Sequence, residues 1–248
     1  MQAVVLVIFK LCDKLDYIEM KPNHHRPSWI RYSSPIGRFY EAYACLSALL
    51  KEKNIKPLIL DAGCGFGELE LFIETVGCDI DSQALRYAKK VCKNESEFVS
   101  ASLLHLPFRH ETFSAIAMLD VLEHVRHEVV VLEHSFCILK SGGLILITVP
   151  LEIGKANMLD LNYFRLQHKH YNEYELPELL KKMGFSKVSS SRRGSIVIDL
   201  FGYLITILDK ISCVVGARFR IATEPLNRFL YKHGPLKSQL VISAVKAP

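Results

Sequence analysis

The 248-residue sequence lacks the cysteine pattern of a disulfide-stabilised secreted protein or of a zinc-binding domain. Its cysteines are odd in number and no two have C-x-x-C spacing; they are Cys12, Cys45, Cys64, Cys78, Cys92, Cys137 and Cys213. A disulfide framework uses an even set, and a zinc knuckle needs paired ligands. The pattern favours a reducing compartment, so we expect a cytoplasmic protein.

Long runs of one charge are also missing. Lys and Arg number 31 against 26 Asp and Glu, a net charge of +5, and no long basic block occurs. Nucleic acid is therefore not expected as a partner, whereas an anionic surface or substrate is compatible with the excess. The apolar run 3–9 lacks a preceding basic region and an evident cleavage site. We expect a core or lid helix there rather than a signal peptide.

A glycine-rich stretch at 58–67 is the clearest candidate site. Half of the residues are apolar, enough for one large core, and the apolar run 58–60 predicts a buried strand. Asp61, glycines at 63, 65 and 67, and a helix-forming run from Glu68 follow. Strand, glycine turn and helix form the first unit of nucleotide-binding folds, where the backbone and a helix N-terminus approach the ligand.

The glycine spacing separates two families. A dinucleotide fingerprint that starts at Gly63 needs a third glycine at position 68, where this chain has Glu68. This disfavours a dehydrogenase. With its flanks, the stretch Asp61, Gly63, Gly65 and Gly67 resembles motif I of the class I methyltransferases that use S-adenosylmethionine.

A second short strand, at 76–81, ends in acids. The resemblance implies that Asp79 binds the ribose hydroxyls of the cofactor, because a carboxylate offers two acceptor oxygens to a cis-diol, with Asp81 as the fallback. Asp81 is also expected to cap the next helix, since Asp is favoured at an N-cap. Because Asp79 follows Asp61 by only 18 positions, the first helix must be short.

The resemblance implies further cofactor contacts at the ends of the first four strands. They are Asp61, Gly63, Cys64, Gly65, Gly67, Asp79, Ile80, Ser102, Leu103, Leu104, Leu119 and Asp120, with Arg38 from the segment before motif I. Ser102 stands where the family commonly has the Asp that accepts from the adenine amino group, and Ser114 replaces another Asp. These departures keep a non-catalytic, methyltransferase-like partner subunit as an alternative.

The segment 122–124, Leu-Glu-His, also matches the family. Asp120, Glu123 and His124 would share one face if they were helical. Some quinone-pathway O-methyltransferases place metal ligands at these positions, which is a second alternative, but we expect no metal here. If the methyl acceptor is a hydroxyl, a base must take its proton; His124, His168 and His170 are the candidates because imidazole titrates near neutrality.

The family's Lys-Ser-Gly-Gly string and apolar strand occur at 140–150, so the fold class is predicted with them. We expect an α/β, doubly wound, seven-stranded and mostly parallel sheet. The expected divisions are an N-terminal helical lid at 1–53, a cofactor-binding domain at 54–190 and 238–248, and an apolar helical insertion at 191–237. The string 140–143 is expected to cap the preceding helix at its C-terminus.

The insertion contains an almost wholly apolar run at 195–216. Five interruptions, Asp199, Gly202, Thr206, Asp209 and Lys210, form one stripe on a helix. The three charges offset the membrane-insertion free energy of the apolar residues, so we expect an amphipathic helix rather than a span. It could be a lid, a homodimer interface or a peripheral membrane contact. The acceptor is expected to be a small or lipid-like molecule, methylated on O, N or C.

Overall fold

The computed structural model describes residues 42–46, 57–92, 94–154 and 169–247. The described strands are β1 Ile59–Ala62, β2 Val76–Asp79, β3 Glu97–Ser100, β4 Phe113–Leu119, β5 Leu139–Pro150, β6 Phe185–Arg193 and β7 Gln239–Lys246. The described helices are α1 Ser82–Val91, α2 Glu128–Ile138, α3 Glu175–Lys182, α4 Ile196–Ile211 and α5 Cys213–His233. Residues 42–46 are also helical.

The strands form one sheet in the order β3-β2-β1-β4-β5-β7-β6. The first five pair in parallel, and β7 runs antiparallel to both β5 and β6. This confirms the predicted doubly wound, mostly parallel sheet of seven strands. The chain moves outward from β1 to β3 and then returns to β4 on the other side of β1. Ligands bind at such a reversal, outside the carboxyl ends of the strands.

The core lies on both faces of the central strands. All seven residues of β4 are buried, as is usual for a parallel strand covered on both sides. Neighbouring residues pack on opposite faces: Leu60 and Ile116 belong to one apolar cluster, and Ile59 and Ala115 to the other. Leu46 of the 42–46 helix is fully buried in the second cluster, so this short helix is part of the core.

The helix expected from Glu68 is absent; the structure has successive turns across 63–73. Gly67, directly before the expected helix, has a φ of +82°, and β2 begins soon after Glu68, at Val76. The Leu69 carbonyl accepts from Phe72 N at 3.0 Å and Ile73 N at 3.1 Å, which closes a single turn. The expected helix N-terminus therefore does not contribute to the site, and only the N–H groups of the turn remain there.

The string 140–143 is not a helix C-cap. Helix α2 ends at Ile138, and Leu139 is its C-cap in extended conformation. The string lies within β5 at a register shift between the pairs Phe113–Leu139 and Ala115–Leu144. Gly142 has a φ of +70°, so the glycines allow the strand to bulge before it continues into the core.

The insertion is a pair of helices, α4 and α5, rather than the single helix expected at 195–216. Ser212 separates them in an extended conformation with φ of −161°. The Ser195 side chain caps α4 by accepting from Val197 N. None of the described helices combines the length and the apolar character that crossing a membrane requires.

Candidate functional site

The glycine turn after β1 is fastened to the end of β2. Gly63 N and Cys64 N both donate to the Cys78 carbonyl oxygen, at 2.7 and 3.1 Å. Cys64 is itself buried, and burial raises the pKa of its thiol, so its side chain packs inside the turn. The turn is thus held at the carboxyl edge of the sheet, where the strand order reverses.

The three glycines of the turn have left-handed φ values and different surroundings. A Cβ on Gly63 (φ +88°) would lie 2.5 Å from Val121 Cγ2, and one on Gly67 (φ +82°) would lie 2.8 Å from Ala88 Cβ. Among the residues that the structure describes, a Cβ on Gly65 (φ +52°) would meet nothing within 4 Å. Gly63 and Gly67 are therefore required by packing, whereas the backbone at Gly65 faces open space that a ligand could enter.

This difference predicts separate effects of two alanine substitutions. Gly63→Ala should lower the free energy of unfolding by about 3 kcal/mol, because it adds overpacking against Val121 to left-handed strain. Gly65→Ala should lower the free energy of unfolding by only about 1 kcal/mol, because left-handed backbone strain is its only unfavourable effect. Urea unfolding of both variants measures the difference. Equal losses of stability would contradict the packing role of Gly63.

Asp79 and Asp81 have distinct roles at the end of β2. Asp79 Oδ2 accepts from Gly65 N and Asp79 Oδ1 from Asp81 N, both at 2.8 Å. Asp81 Oδ1 accepts from Gln83 N at 2.8 Å and Ala84 N at 3.2 Å, which confirms it as the N-cap of α1. A carboxylate oxygen has a second lone pair, so Asp79 can still accept from a ligand beside the turn.

Apolar surface lies next to the Asp79 carboxylate. Ile80 exposes 74% of its surface, and Leu103 and Leu104 are half-buried in a short 3₁₀ turn. The Ser102 hydroxyl caps that turn, accepting from Leu104 N at 3.3 Å. In contrast, the Leu119 side chain is buried in the second core cluster, so only its backbone is available to a ligand.

A buried pair of carboxyl groups supports the turn from within. Asp61 is 2% exposed and Glu70 is fully buried, and their side chains are hydrogen-bonded to each other. Thr75 Oγ1 donates to Glu70 Oε1 at 2.5 Å. Burial raises the pKa of Asp61 well above its usual range and that of Glu70 to about 7. Because Asp61 is buried, its side chain stabilises the turn from inside the protein and does not face a ligand that enters from solvent.

Asp120, directly after β4, has an unusual left-handed conformation with φ of +56°. Its amide donates to the Thr148 carbonyl at 3.0 Å, and the Thr148 hydroxyl donates to Asp120 Oδ1 at 2.7 Å. Gln239 Nε2 donates to Asp120 Oδ2 at 3.2 Å. This conformation directs the chain so that the next residue, Val121, packs against Gly63. Strain of this kind collects at functional sites.

Asp120, Glu123 and His124 do not lie on one helix, so the condition for their sharing a helical face is not met. Only Leu122–His124 forms a 3₁₀ turn, because Asp120 is left-handed. Glu123 is buried whereas His124 is exposed. Across the described ranges, no three His, Cys, Asp or Glu side chains are grouped as metal ligands.

Two of the three candidate bases lie on neighbouring segments. Lys169 N donates to the Glu123 carbonyl at 3.5 Å, which brings the segment containing His170 beside the segment containing His124. Tyr171 N donates to the Pro150 carbonyl at 2.9 Å and continues this contact along the end of β5. Although His124 is exposed by its surface area, desolvation by the groups around its ring lowers its pKa, and the Asp120 carboxylate opposes this effect. Arg38 and His168 lie outside the described residues.

An ion network holds the His170 segment in place. Lys169 Nζ donates to Glu128 Oε1 at 2.8 Å and to Glu175 Oε1 at 2.6 Å. The buried Tyr171 donates its hydroxyl to Glu128 Oε2 at 2.6 Å. These contacts join α2, α3 and the end of β5 at one side of the crevice. The sequence reasoning missed Glu128, Tyr171 and the Asp120 partners, because they are brought together only by the sheet topology.

Comparison with known proteins agrees with this geometry. A family model described as "Methyltransferase domain" matches residues 60–147. The uncharacterised methyltransferase YodH of Bacillus subtilis is 33% identical over 145 residues, which are 53% of this chain and 61% of that protein. The chain spans 55% and 61% of the lengths of the two curated relatives that share 33% identity with it.

Solved structures share the fold at low sequence identity. Phosphoethanolamine N-methyltransferase 2 of Haemonchus contortus, in complex with phosphomonomethylethanolamine and S-adenosylhomocysteine, is 18% identical, with a TM-score of 0.59. The match covers 89% of this chain and 56% of that one. The [4+2]-cyclase SpnF is 15% identical, with a TM-score of 0.57 over 84% of this chain and 83% of that one. At these identities, the likeness shows the fold alone.

Proposed function

The chain carries a class I methyltransferase domain, and on that premise we propose that it transfers a methyl group from S-adenosylmethionine to a small-molecule or lipid-like acceptor. The observation that carries the proposal is the joint geometry of Gly65 and Asp79. The Gly65 backbone faces open space, and its N–H is held by the Asp79 carboxylate at the point where the strand order reverses.

The residues around this point fit the cofactor. The turn offers backbone approach at Gly65, and Asp79 offers carboxylate oxygens to the ribose hydroxyls. Ile80, with most of its side chain in solvent, and the half-buried Leu103 and Leu104 offer apolar surface to the adenine ring. When bound, the cofactor supplies an electrophilic methyl group on a sulfonium, whose sulfur leaves as a neutral thioether.

The protein then needs mainly to orient the acceptor and exclude water, because the leaving group requires no acid. An acceptor hydroxyl or ammonium must also lose a proton. His124 and His170 are the candidates, because the contact between Lys169 and Glu123 places their segments side by side. The lowered pKa of His124 keeps its imidazole neutral and able to accept a proton at neutral pH.

A small or lipid-like acceptor is favoured by the surroundings of the site. Asp79 and Asp120 place carboxylates at the ends of β2 and β4, and the sequence has no long basic block that would follow a nucleic-acid backbone. Ion pairs of Lys169 with Glu128 and Glu175 hold the segment that carries His170 in place. A fixed segment of this kind is expected at the binding site of a compact acceptor. O, N and C acceptors all remain within this proposal.

Labelled methyl transfer tests the proposal directly. The protein is incubated with S-adenosylmethionine carrying a labelled methyl group and a cell extract, and label is followed into lipid and aqueous fractions. We expect label in a small-molecule or lipid fraction and at least about ten-fold less with Asp79→Ala, which removes the ribose acceptor. Binding of S-adenosylmethionine without transfer to any fraction would favour another reaction on the same fold. No binding by calorimetry would support the non-catalytic alternative.

A further inference from the structure

Helix α4 exposes a stripe of large apolar side chains. Leu200, Leu204 and Ile211 are 45%, 39% and 75% exposed. Their spacing of four and seven residues places them on one face of the helix. Ile205, on a different face, is buried. The helix therefore has an apolar face beyond the one that its packing in the protein uses.

Helix α5 has a matching stripe. Val215, Leu226 and Phe229 are 47%, 46% and 60% exposed, and offsets of 11 and 14 residues place them on one face. Asn227 and Tyr231 are buried on another face. We name the six exposed residues of α4 and α5 the hairpin surface. With Leu236, the insertion holds seven of the thirteen exposed large hydrophobic residues in the described part of the chain, which is too many for scattered surface positions.

The insertion also holds the chain's excess positive charge. Residues 191–237 contain eight of the 31 Lys and Arg and three of the 26 Asp and Glu, a net of +5. The rest of the chain contains 23 of each sign and is neutral. Arg218 and Lys232 are exposed on α5, beside its apolar stripe at helical spacing. Apolar side chains flanked by cations form the pattern of helices that lie in a lipid interface.

The two ends of the insertion are hydrogen-bonded to each other at the base of the hairpin. Gly194 N donates to the Tyr231 carbonyl at 3.0 Å, and Ser195 Oγ donates to the Pro235 carbonyl at 2.8 Å. Phe201 of α4 meets Phe219 of α5 edge to face, with ring centroids 6.3 Å apart. The hairpin surface is therefore presented on a packed pair of helices rather than on a loose loop.

We propose that the hairpin surface docks on a lipid bilayer that contains anionic headgroups. The six apolar side chains enter the boundary between headgroups and acyl chains, and the cations of the insertion lie against lipid phosphates. A second copy of the chain is the less favourable occupant. A two-fold contact would bring together two insertions that each carry +5, and like charges oppose such an interface. This inference does not depend on the methyl-transfer proposal.

Vesicle flotation of the full-length protein tests the inference. We expect co-flotation with vesicles of phosphatidylcholine and phosphatidylserine, weaker binding to phosphatidylcholine alone, and loss of binding as salt is raised. The double variant L226S/F229S should reduce the partition coefficient at least about ten-fold, because two apolar side chains no longer enter the lipid. Val129→Ser is the matched control, since Val129 is 43% exposed on α2, outside the insertion.

Three outcomes would overturn the inference. Absence of wild-type co-flotation with the anionic vesicles is the first. Binding that L226S/F229S and V129S reduce equally is the second, because the hairpin surface would then not be its location. The third is a dimer in sedimentation velocity that L226S/F229S dissociates, which would identify a second copy as the occupant. Circular dichroism of each variant shows whether a loss comes from unfolding, and R218E/K232E repeats the test without changing an apolar residue.

Discussion

Asp79→Ala is expected to weaken S-adenosylmethionine binding about 100-fold, a change near 2.7 kcal/mol. The Asp79 carboxylate holds the Gly65 amide at 2.8 Å and the Asp81 amide at 2.8 Å. In the proposed complex it also accepts from the ribose. Hydrogen bonds to a charged group contribute about 1.5–3 kcal/mol each, so losing the ribose contact and loosening the turn together account for the effect. Calorimetric titration of the purified protein measures it.

Asp81→Ala is the matched control for Asp79→Ala. Asp81 is an exposed acid two residues away, and its carboxylate caps α1 through Gln83 N and Ala84 N. Its removal should lower the free energy of unfolding by about 1 kcal/mol and leave the cofactor affinity within about three-fold. The reverse result, with Asp81→Ala losing affinity and Asp79→Ala keeping it, would assign the ribose contact to Asp81. Unchanged affinity in both variants would reject a ribose contact from this strand end.

The sheet and the position of its site were predictable from the sequence. Apolar runs that end in Asp79 and Asp120 mark strand ends, because buried strands stop where polar groups must meet solvent. The run that ends in Asp61 marks β1, although Asp61 itself is buried within that strand. Parallel strands bring these ends to one edge. The N-cap role of Asp81 followed from local chemistry alone and is confirmed.

Features that depend on distant contacts were not predictable. The helix expected after the glycine turn is replaced by turns, and Gly67 lies close to Ala88 of α1 in a left-handed conformation, a contact that residue propensities do not show. Asp120 is left-handed because Thr148 and Gln239, 28 and 119 positions away, hold its carboxylate. One feature of the sequence pointed to the buried Glu70, which is an acid within the apolar run 69–73. Its pairing with Asp61 could not be predicted, because Asp61 belongs to the preceding strand.

The prediction for the insertion was limited for the same reason, because its structure also depends on contacts between distant residues. The apolar excess and the polar stripe on α4 could be recognised in the sequence. The sequence also predicted correctly that this helix is not suited to cross a membrane. The division at Ser212 could not be recognised, because the extended Ser212 follows from the packing of α4 against α5, including Phe201 on Phe219. The sequence could therefore predict an amphipathic surface without predicting that two helices would share it.

The buried Asp61–Glu70 pair should make the stability of the protein fall as pH rises from about 5 to 8. Burial raises the pKa of Glu70 to about 7 in the folded protein, above the ordinary value of 4.5. Between these values the unfolded chain has lost a proton that the folded protein keeps, so raising the pH favours unfolding. The full effect is about 3 kcal/mol for Glu70, and the raised pKa of Asp61 acts in the same direction.

Glu70→Gln should remove the part of this dependence that is due to Glu70 and leave the part that is due to Asp61. The amide oxygen can accept from Thr75 Oγ1, as Glu70 Oε1 does, and the amide nitrogen can donate to Asp61, so the contacts are kept without an ionisable group. We expect the variant to equal the wild type near pH 5 and to exceed its free energy of unfolding by about 2 kcal/mol at pH 8. Urea unfolding at intervals of one pH unit gives both curves.

Glu68→Gln provides the comparison, because Glu68 is a neighbouring acid in the same turn that is only half-buried. Its substitution should leave the pH dependence close to that of the wild type, since desolvation, not proximity to the turn, is the main cause of the raised pKa of Asp61 and Glu70. If Glu70→Gln changes stability by one constant amount at every pH, the pair does not bind an extra proton in the folded protein. In that case the Asp61–Glu70 pair would be ionised in the folded protein. The hydrogen bond from Thr75 to Glu70 would then have to stabilise the pair beneath the glycine turn.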